Sequence, residues 1–379
     1  MVTQPLAKER MQAIYALPDH EVVGDLIPDA ANRYLSIEEA LDRIASVQGL
    51  VPVAIDHTKG GRLLWADLGD HPFREWQFLF TVKHLAEAEV IREAFHTDIK
   101  ILTDDRVINQ GIKPSGFVFH ISRCGSTLVA KALARSPSHV VITQGGPLQR
   151  GLWAYLTDDW RKPIRSSPEA LKMFRNLVLA MTRPRRPEQR TAFVKFISWN
   201  ILYADFIAAA YPDVPALFLY RDPVEVIASV MNETTAVLHA KGTREAAFLT
   251  GMSIDSTEGM RDEEYLAKCY ARYFEVVLDS STPQLSYLNY SDLRAERFPE
   301  ILSRGLSFGA DASVLELMKK QFQFHSKDDG DKEKFKEDSE EKRMLISVKD
   351  RKMIRCLCGE SLASLGQSRK NVFPKPNDP

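Results

Sequence analysis

The chain of 379 residues predicts an α/β fold with a parallel sheet, preceded by a smaller α+β region. Three observations predict it. From Gly116 onward, apolar β-rich runs alternate with helical patterns, the order that builds a parallel sheet. The first run, Phe117-Val118-Phe119-His120-Ile121, passes through Ser122-Arg123-Cys124-Gly125 directly into Ser126-Thr127-Leu128. A later run, Ala216-Leu217-Phe218-Leu219-Tyr220, ends in Arg221-Asp222-Pro223-Val224-Glu225, where Asp222 is an N-cap, Pro223 stands at N1 and Glu225 at N3.

Residues 1–110 are expected as an accessory α+β domain. Ser36-Ile37-Glu38-Glu39 is a capping box that opens a helix through Leu41, Ile44 and Val47. Strands are expected over Arg62 to Leu68 and Trp76 to Val82, joined by the turn-forming Gly69-Asp70-His71-Pro72, with a helix over Leu85 to Phe95. In residues 111–379 the expected strands are 117–121, 139–143, 192–197, 215–220 and 285–290, with helices between them. The first of these helices carries Leu128, Val129, Ala132 and Leu133 at helical spacing and ends before Ser136-Pro137. Residues 144–168 and 236–262 mix glycines with scattered charges and are expected as mobile lid-like loops. Lys327 to Arg343 holds 14 charged residues in 17, the composition of a solvated surface segment.

A strand, a tight loop and a helix N-terminus make an anion site, because backbone N–H groups converge there and the helix dipole favours negative charge. A nucleotide triphosphatase loop would carry a lysine after its last glycine. Here Gly125 is followed at once by Ser126-Thr127. In an open α/β sheet, ligands bind at the carboxyl ends of the strands, so Arg221 marks a second anion site close to the first.

A net charge of −1 argues against general nucleic-acid or membrane-surface binding. The first residues lack an apolar signal core, and no run approaches the ~18 apolar residues of a spanning helix. A soluble, cytoplasmic protein is expected, and no feature sets its oligomeric state. Four cysteines are too few for a disulfide framework. Cys124 reads as a small side chain lining the loop, although a helix N-terminus can lower a thiol pKa.

Loop and arginine together resemble the PAPS-dependent sulfotransferases, in particular the bacterial branch whose loop reads like Ser-Arg-Cys-Gly-Ser-Thr-Leu, over about residues 116 to 345. The resemblance implies a three-layer P-loop core in which Ser122, Arg123, Cys124, Gly125, Ser126, Thr127 and Leu128 hold the phosphosulfate of 3′-phosphoadenosine-5′-phosphosulfate (PAPS). Arg221 and Ser229, eight residues apart, would hold the 3′-phosphate. The implied reaction moves a sulfuryl group from PAPS to a hydroxyl or amine of a small-molecule metabolite, gives 3′,5′-ADP and needs no metal. Arg123, the N–H groups of residues 124 to 127 and the hydroxyls of Ser126 and Thr127 would stabilise charge on the leaving oxygen. Lys195, a charge inside the apolar Phe193-Val194-Lys195-Phe196, would line the sulfate site. Relatives close over the nucleotide with a basic loop near the C-terminus, which points to Lys327 and Lys332.

The general base is not assigned by the resemblance. Relatives end their second strand in a glutamate followed by proline, whereas this chain reads Thr143-Gln144-Gly145-Gly146-Pro147. Where the cytosolic branch has a histidine after the strand lysine, Ile197 and Ser198 stand here. His120, His139, His239 and His325 are candidates by chemistry, with His239 and His325 the easier to bring to the site. An acceptor nucleophilic enough to need little help is another possibility. Two rival readings are a phosphotransferase using ATP and magnesium, and a catalytically silent nucleotide-binding relative, for which Gln144 is the main support.

Overall fold

The computed structural model describes residues 19–28, 33–108, 111–327, 330, 332–334 and 339–376. All five expected strands of the parallel sheet are present: β4 Pro114–His120, β5 His139–Thr143, β6 Thr191–Lys195, β7 Ala216–Tyr220 and β8 Leu285–Asn289. Before them, β1 Leu50–Asp56, β2 Arg62–Asp67 and β3 Ala94–Asp98 form an antiparallel sheet in the order β1-β2-β3.

The larger sheet runs β5-β6-β4-β7-β8 with every pair parallel, and its strands are buried nearly throughout. Such strands read as unbroken apolar runs, which is why they were legible. After β4 the chain crosses to β5 on one side, and after β7 it crosses to β8 on the other. The winding therefore reverses between β4 and β7, and the crevice of an open sheet opens there, at the carboxyl ends of the strands. Residues 121–125 leave β4 and Arg221 leaves β7 at that crevice.

Two expectations for the first region are corrected, and one strand is added. Trp76 to Val82 is not a strand: Phe78–Glu87 is a helix, burying Phe78, Leu79, Thr81, Val82 and Leu85. The spacing 78, 81, 82, 85 is one helical face, which a short apolar run conceals. Leu85 to Phe95 is not a helix, since that helix ends at Glu87 and Ala94–Asp98 pairs with β2, Phe95 opposite Trp65. β1, unexpected, is buried at all seven positions, so Leu50-Val51-Pro52-Val53 shows no alternation to mark it. The capping box is formed, with Ser36 N–H donating to Glu39 Oε2 at 3.0 Å.

The two lid-like stretches are also folded. Residues 144–168 contain a single π-turn, Pro147–Gly151, and the helix Leu152–Leu156; residues 236–262 contain the helices Ala236–His239, Arg244–Thr250 and Ile254–Glu258.

The first sheet packs on the segments around the second, the chain that follows β5 and the one that precedes β6. Buried Arg183 donates from Nη1 to Leu50 O at 3.2 Å and from Nη2 to Ile44 O at 2.7 Å. The Arg185 guanidinium lies 3.4 Å from the centre of the Phe73 ring. A Cβ at Gly146 would meet the Val53 carbonyl oxygen at 2.9 Å, so Gly145-Gly146 lets the chain after β5 pass close under β1. No described helix is long and apolar enough to cross a membrane. All four cysteines are free, with only Cys356 exposed.

Candidate functional site

The turn after β4 holds three residues in the left-handed region: Ser122 at φ +81°, Arg123 at +49° and Gly125 at +82°. Only the last is glycine, and each of the others costs about 1–2 kcal/mol in that conformation. The cost is met by a fixed support. Ser122 N–H donates to His120 Nδ1 at 2.9 Å, while His120 Nε2 lies 3.1 Å from Phe196 O, which fixes the proton on Nε2. Burial, with Lys195 adding to it, pushes His120 well below the ordinary 6.5. His120 is thus a neutral prop of the loop whose lone pair is already engaged. Gly125 then caps the helix Ser126–Ala134, at whose first turn sit buried Ser126 and half-buried Thr127 and Leu128.

Cys124 turns away from the loop's open side and donates from Sγ to Leu219 O at 3.2 Å. Burial pushes its thiol up to about 11, which outweighs any lowering by the helix terminus. Beside it, at the end of β6, lies Lys195, 1% exposed. Desolvation pushes its ammonium down to about 7, and the neighbouring Cys124 offsets only part of that shift. A lysine buried without a carboxylate facing it is expensive unless an anion completes the site.

Gln144, at φ +51°, follows β5 on the other side of Lys195. Its N–H donates to Lys195 O at 2.7 Å, and its side-chain oxygen accepts a hydrogen bond from Gln77 Nε2 of the first region. The expected absence of a carboxylate at this point is thus filled by an amide pair.

Two groups of charges surround the loop. In the inner one, buried Arg221 bonds through Nε to Glu225 Oε2 at 2.5 Å and lies over the Tyr290 ring at 4.3 Å. Its Nη1 donates to the carbonyl oxygen of Arg123 at 3.3 Å. Arg343 Nε donates to the other Glu225 oxygen at 2.6 Å. Ser229 is buried one turn beyond Glu225 on the same helix, Pro223–Glu233. In the outer one, Glu233, the last residue of that helix, is ion-paired with Arg123 and accepts from Lys327 Nζ at 2.8 Å. Arg123 Nε is buried with no hydrogen-bond partner among the described residues. Lys327 Nζ lies 5.3 Å from the Trp76 ring centre. A series of contacts links Gln144 to Gln77, whose chain neighbour Trp76 meets Lys327, and Lys327 meets Glu233, which holds Arg123.

Of the other candidates, His239 reaches this series through Nε2, 3.2 Å from Thr234 Oγ1 next to Glu233, and burial lowers its pKa. His139 stands at the opposite end of the sheet, its Nδ1 2.8 Å from Leu133 O and its ring against Phe193 and Phe308, so it is structural. His325 is exposed and its backbone N–H donates to Glu333 O at 2.7 Å. Lys332 is exposed, and Asp328, Asp329 and Asp331 of its segment lie outside the described residues. Glu233, Arg343, Trp76 and Gln77 were missed; the one local signal was the i,i+4 pairing of Arg221 with Glu225.

No protein-family model and no curated protein matches the chain. Among solved structures it is similar to a sulfotransferase from Alicyclobacillus acidocaldarius, at 15% identity over 65% of this chain and 96% of that one, with a TM-score of 0.31. It is also similar to the sulfotransferase STF1 from Mycobacterium tuberculosis H37Rv, at 13% identity over 79% of this chain and 91% of that one, with a TM-score of 0.38. Superpositions at this level carry no weight for the chemistry, which rests on the geometry above.

Proposed function

We propose that the protein is a sulfotransferase that moves a sulfuryl group from PAPS to a hydroxyl or amine of a small molecule and releases 3′,5′-ADP. The observation that carries this reading is the 3.3 Å bond from Arg221 to the Arg123 carbonyl, which sets the second cationic site edge to edge with the loop. A nucleotide with anionic groups at both its 5′ and 3′ positions suits two such adjoining sites, whereas a simple triphosphate needs one extended site.

On this reading the N–H groups of the left-handed turn, with Ser126 and Thr127, hold the 5′-phosphosulfate, and Arg221 with Ser229 holds the 3′-phosphate. Arg123, whose Nε has no hydrogen-bond partner among the described residues, and Lys195, buried with no described carboxylate beside it, supply the positive charge that the leaving oxygen requires. Lys327 and Arg343 each bind a glutamate of the Pro223–Glu233 helix, in keeping with basic residues that cover the nucleotide. The small-molecule acceptor would enter through the rim formed by Trp76, Gln77, Gln144 and Glu233, which gives the first region a part in the reaction.

The test is product formation. Incubation with PAPS and a panel of phenols, alcohols and amines should yield 3′,5′-ADP and a sulfated product by mass spectrometry. Consumption of ATP with magnesium, and none of PAPS, would establish the phosphotransferase instead.

A further inference from the structure

The proposed reaction releases a proton from the acceptor, and Gln144 and His120 cannot take it: one is an amide held by Gln77, the other has its free lone pair engaged by Ser122 N–H. Glu233 is a carboxylate beside the loop. Its side chain is 48% exposed, and it is held by Arg123, assigned above to the leaving oxygen, and by Lys327, assigned above to the cover over the nucleotide. Both cations sit on its Oε2 oxygen, so that atom is occupied before the donor arrives. A phosphosulfate that draws both of them inward leaves Glu233 Oε2 uncovered to take the acceptor's proton.

We propose that Glu233 is the catalytic base and that donor binding uncovers it; this rests on the sulfotransferase reading. The acceptor's oxygen or nitrogen lone pair forms the bond to sulfur as the bond from sulfur to the bridging oxygen breaks. The bonding pair stays on the 5′-phosphate oxygen of 3′,5′-ADP, and the acceptor's proton passes to a Glu233 carboxylate oxygen. Before the donor arrives, the same carboxylate balances Arg123 and Lys327, so the base and the donor site compete for one pair of cations. Trp76, against Lys327, forms the wall across which the acceptor approaches. His239 Nε2 lies 3.2 Å from Thr234 Oγ1, next to Glu233 in the chain.

The experiment compares wild type with Glu233→Gln and Glu233→Ala in two measurements: calorimetric binding of 3′,5′-ADP, and single-turnover release of 3′,5′-ADP from PAPS with water as acceptor. Both variants should bind 3′,5′-ADP several-fold more tightly, since an internal competitor is gone. Their release of 3′,5′-ADP should fall by about 10²–10⁴-fold, the span of general-base assistance. Formate added to Glu233→Ala should restore part of the rate, which a merely structural carboxylate would not allow. Release within twofold of wild type in Glu233→Gln, or no recovery with formate, overturns the assignment of the base and leaves donor binding intact. Wild type that binds 3′,5′-ADP but releases none from PAPS, with water or with any of the phenols, alcohols and amines of the panel, overturns the base and favours a silent nucleotide-binding relative. Failure of wild type to bind 3′,5′-ADP at all overturns the underlying reading.

Discussion

Two glutamates of one helix, eight residues apart, each bridge a pair of cations, yet their surroundings differ. Glu225 is 3% exposed and ties Arg221 to Arg343, while Glu233 is half exposed and ties Arg123 to Lys327. A buried ion pair is fixed because losing either partner strands a charge away from water. A pair at a solvated rim exchanges easily and contributes little to stability. The inner group therefore shapes the site, and the outer one is free to change partners during a reaction.

The contrast breaks most readily at Arg221. Arg221→Ala should cost about 3–5 kcal/mol in urea unfolding by leaving Glu225 with a single partner. It should also abolish any preference for 3′,5′-ADP over ADP. A loss below about 1 kcal/mol would put the inner group in the same class as the outer.

Next is Lys195→Met, expected to slow sulfuryl transfer by about 10²–10³-fold, as removal of one donor to a developing negative charge does elsewhere. Its stability signature has a definite sign. Lys195 folds with its pKa lowered from 10.5 to about 7, so in that interval the unfolded chain binds the extra proton. Its contribution to stability accordingly rises with pH across that window and is flat below it. Lys195→Met should remove that rise from a pH series of thermal unfolding. In the wild type, binding of 3′,5′-ADP near pH 8 should take up a proton, read from calorimetry in buffers of different ionisation enthalpy.

At the outer group, Glu233→Ala and Lys327→Ala should each change unfolding stability by no more than about 1 kcal/mol, against the larger loss for Arg221→Ala. The smallest effect concerns the thiols. A maleimide should label exposed Cys356 in the native protein, while Cys124, buried and pushed up to about 11, should react only after unfolding. Rapid native labelling of Cys124 would mean that the loop opens to solvent.

Much of the larger sheet was legible because its strands are short, apolar and separated by caps that signal themselves. Asp222 accepts from Val224 N–H at 2.9 Å, as the Asp-Pro-Val-Glu order implies. The first region was read poorly because Phe78 to Leu85 is too short an apolar run to separate period 2 from period 3.6, and because β1 is buried on both faces. The loop and Arg221 could be found from sequence since their roles depend on neighbours in the chain. Lys327 was found by resemblance, but its partners Glu233 and Trp76 could not be, since Lys327 lies 94 residues from the glutamate it binds. Sequence reasoning looked for the base at the end of β5 or among the histidines, whereas the rim carboxylate is delivered by the far end of the helix whose start was recognised.

The most direct measurement is a calorimetric titration of the wild-type protein with 3′,5′-ADP, ADP, ADP with magnesium, and AMP, repeated with Arg221→Ala. If the loop and Arg221 form one site for a 3′-phosphorylated nucleotide, 3′,5′-ADP binds at least about 100-fold more tightly than the others, roughly 2.7 kcal/mol, and the variant loses that margin. Equal binding of ADP with magnesium, or a margin that survives Arg221→Ala, would contradict it.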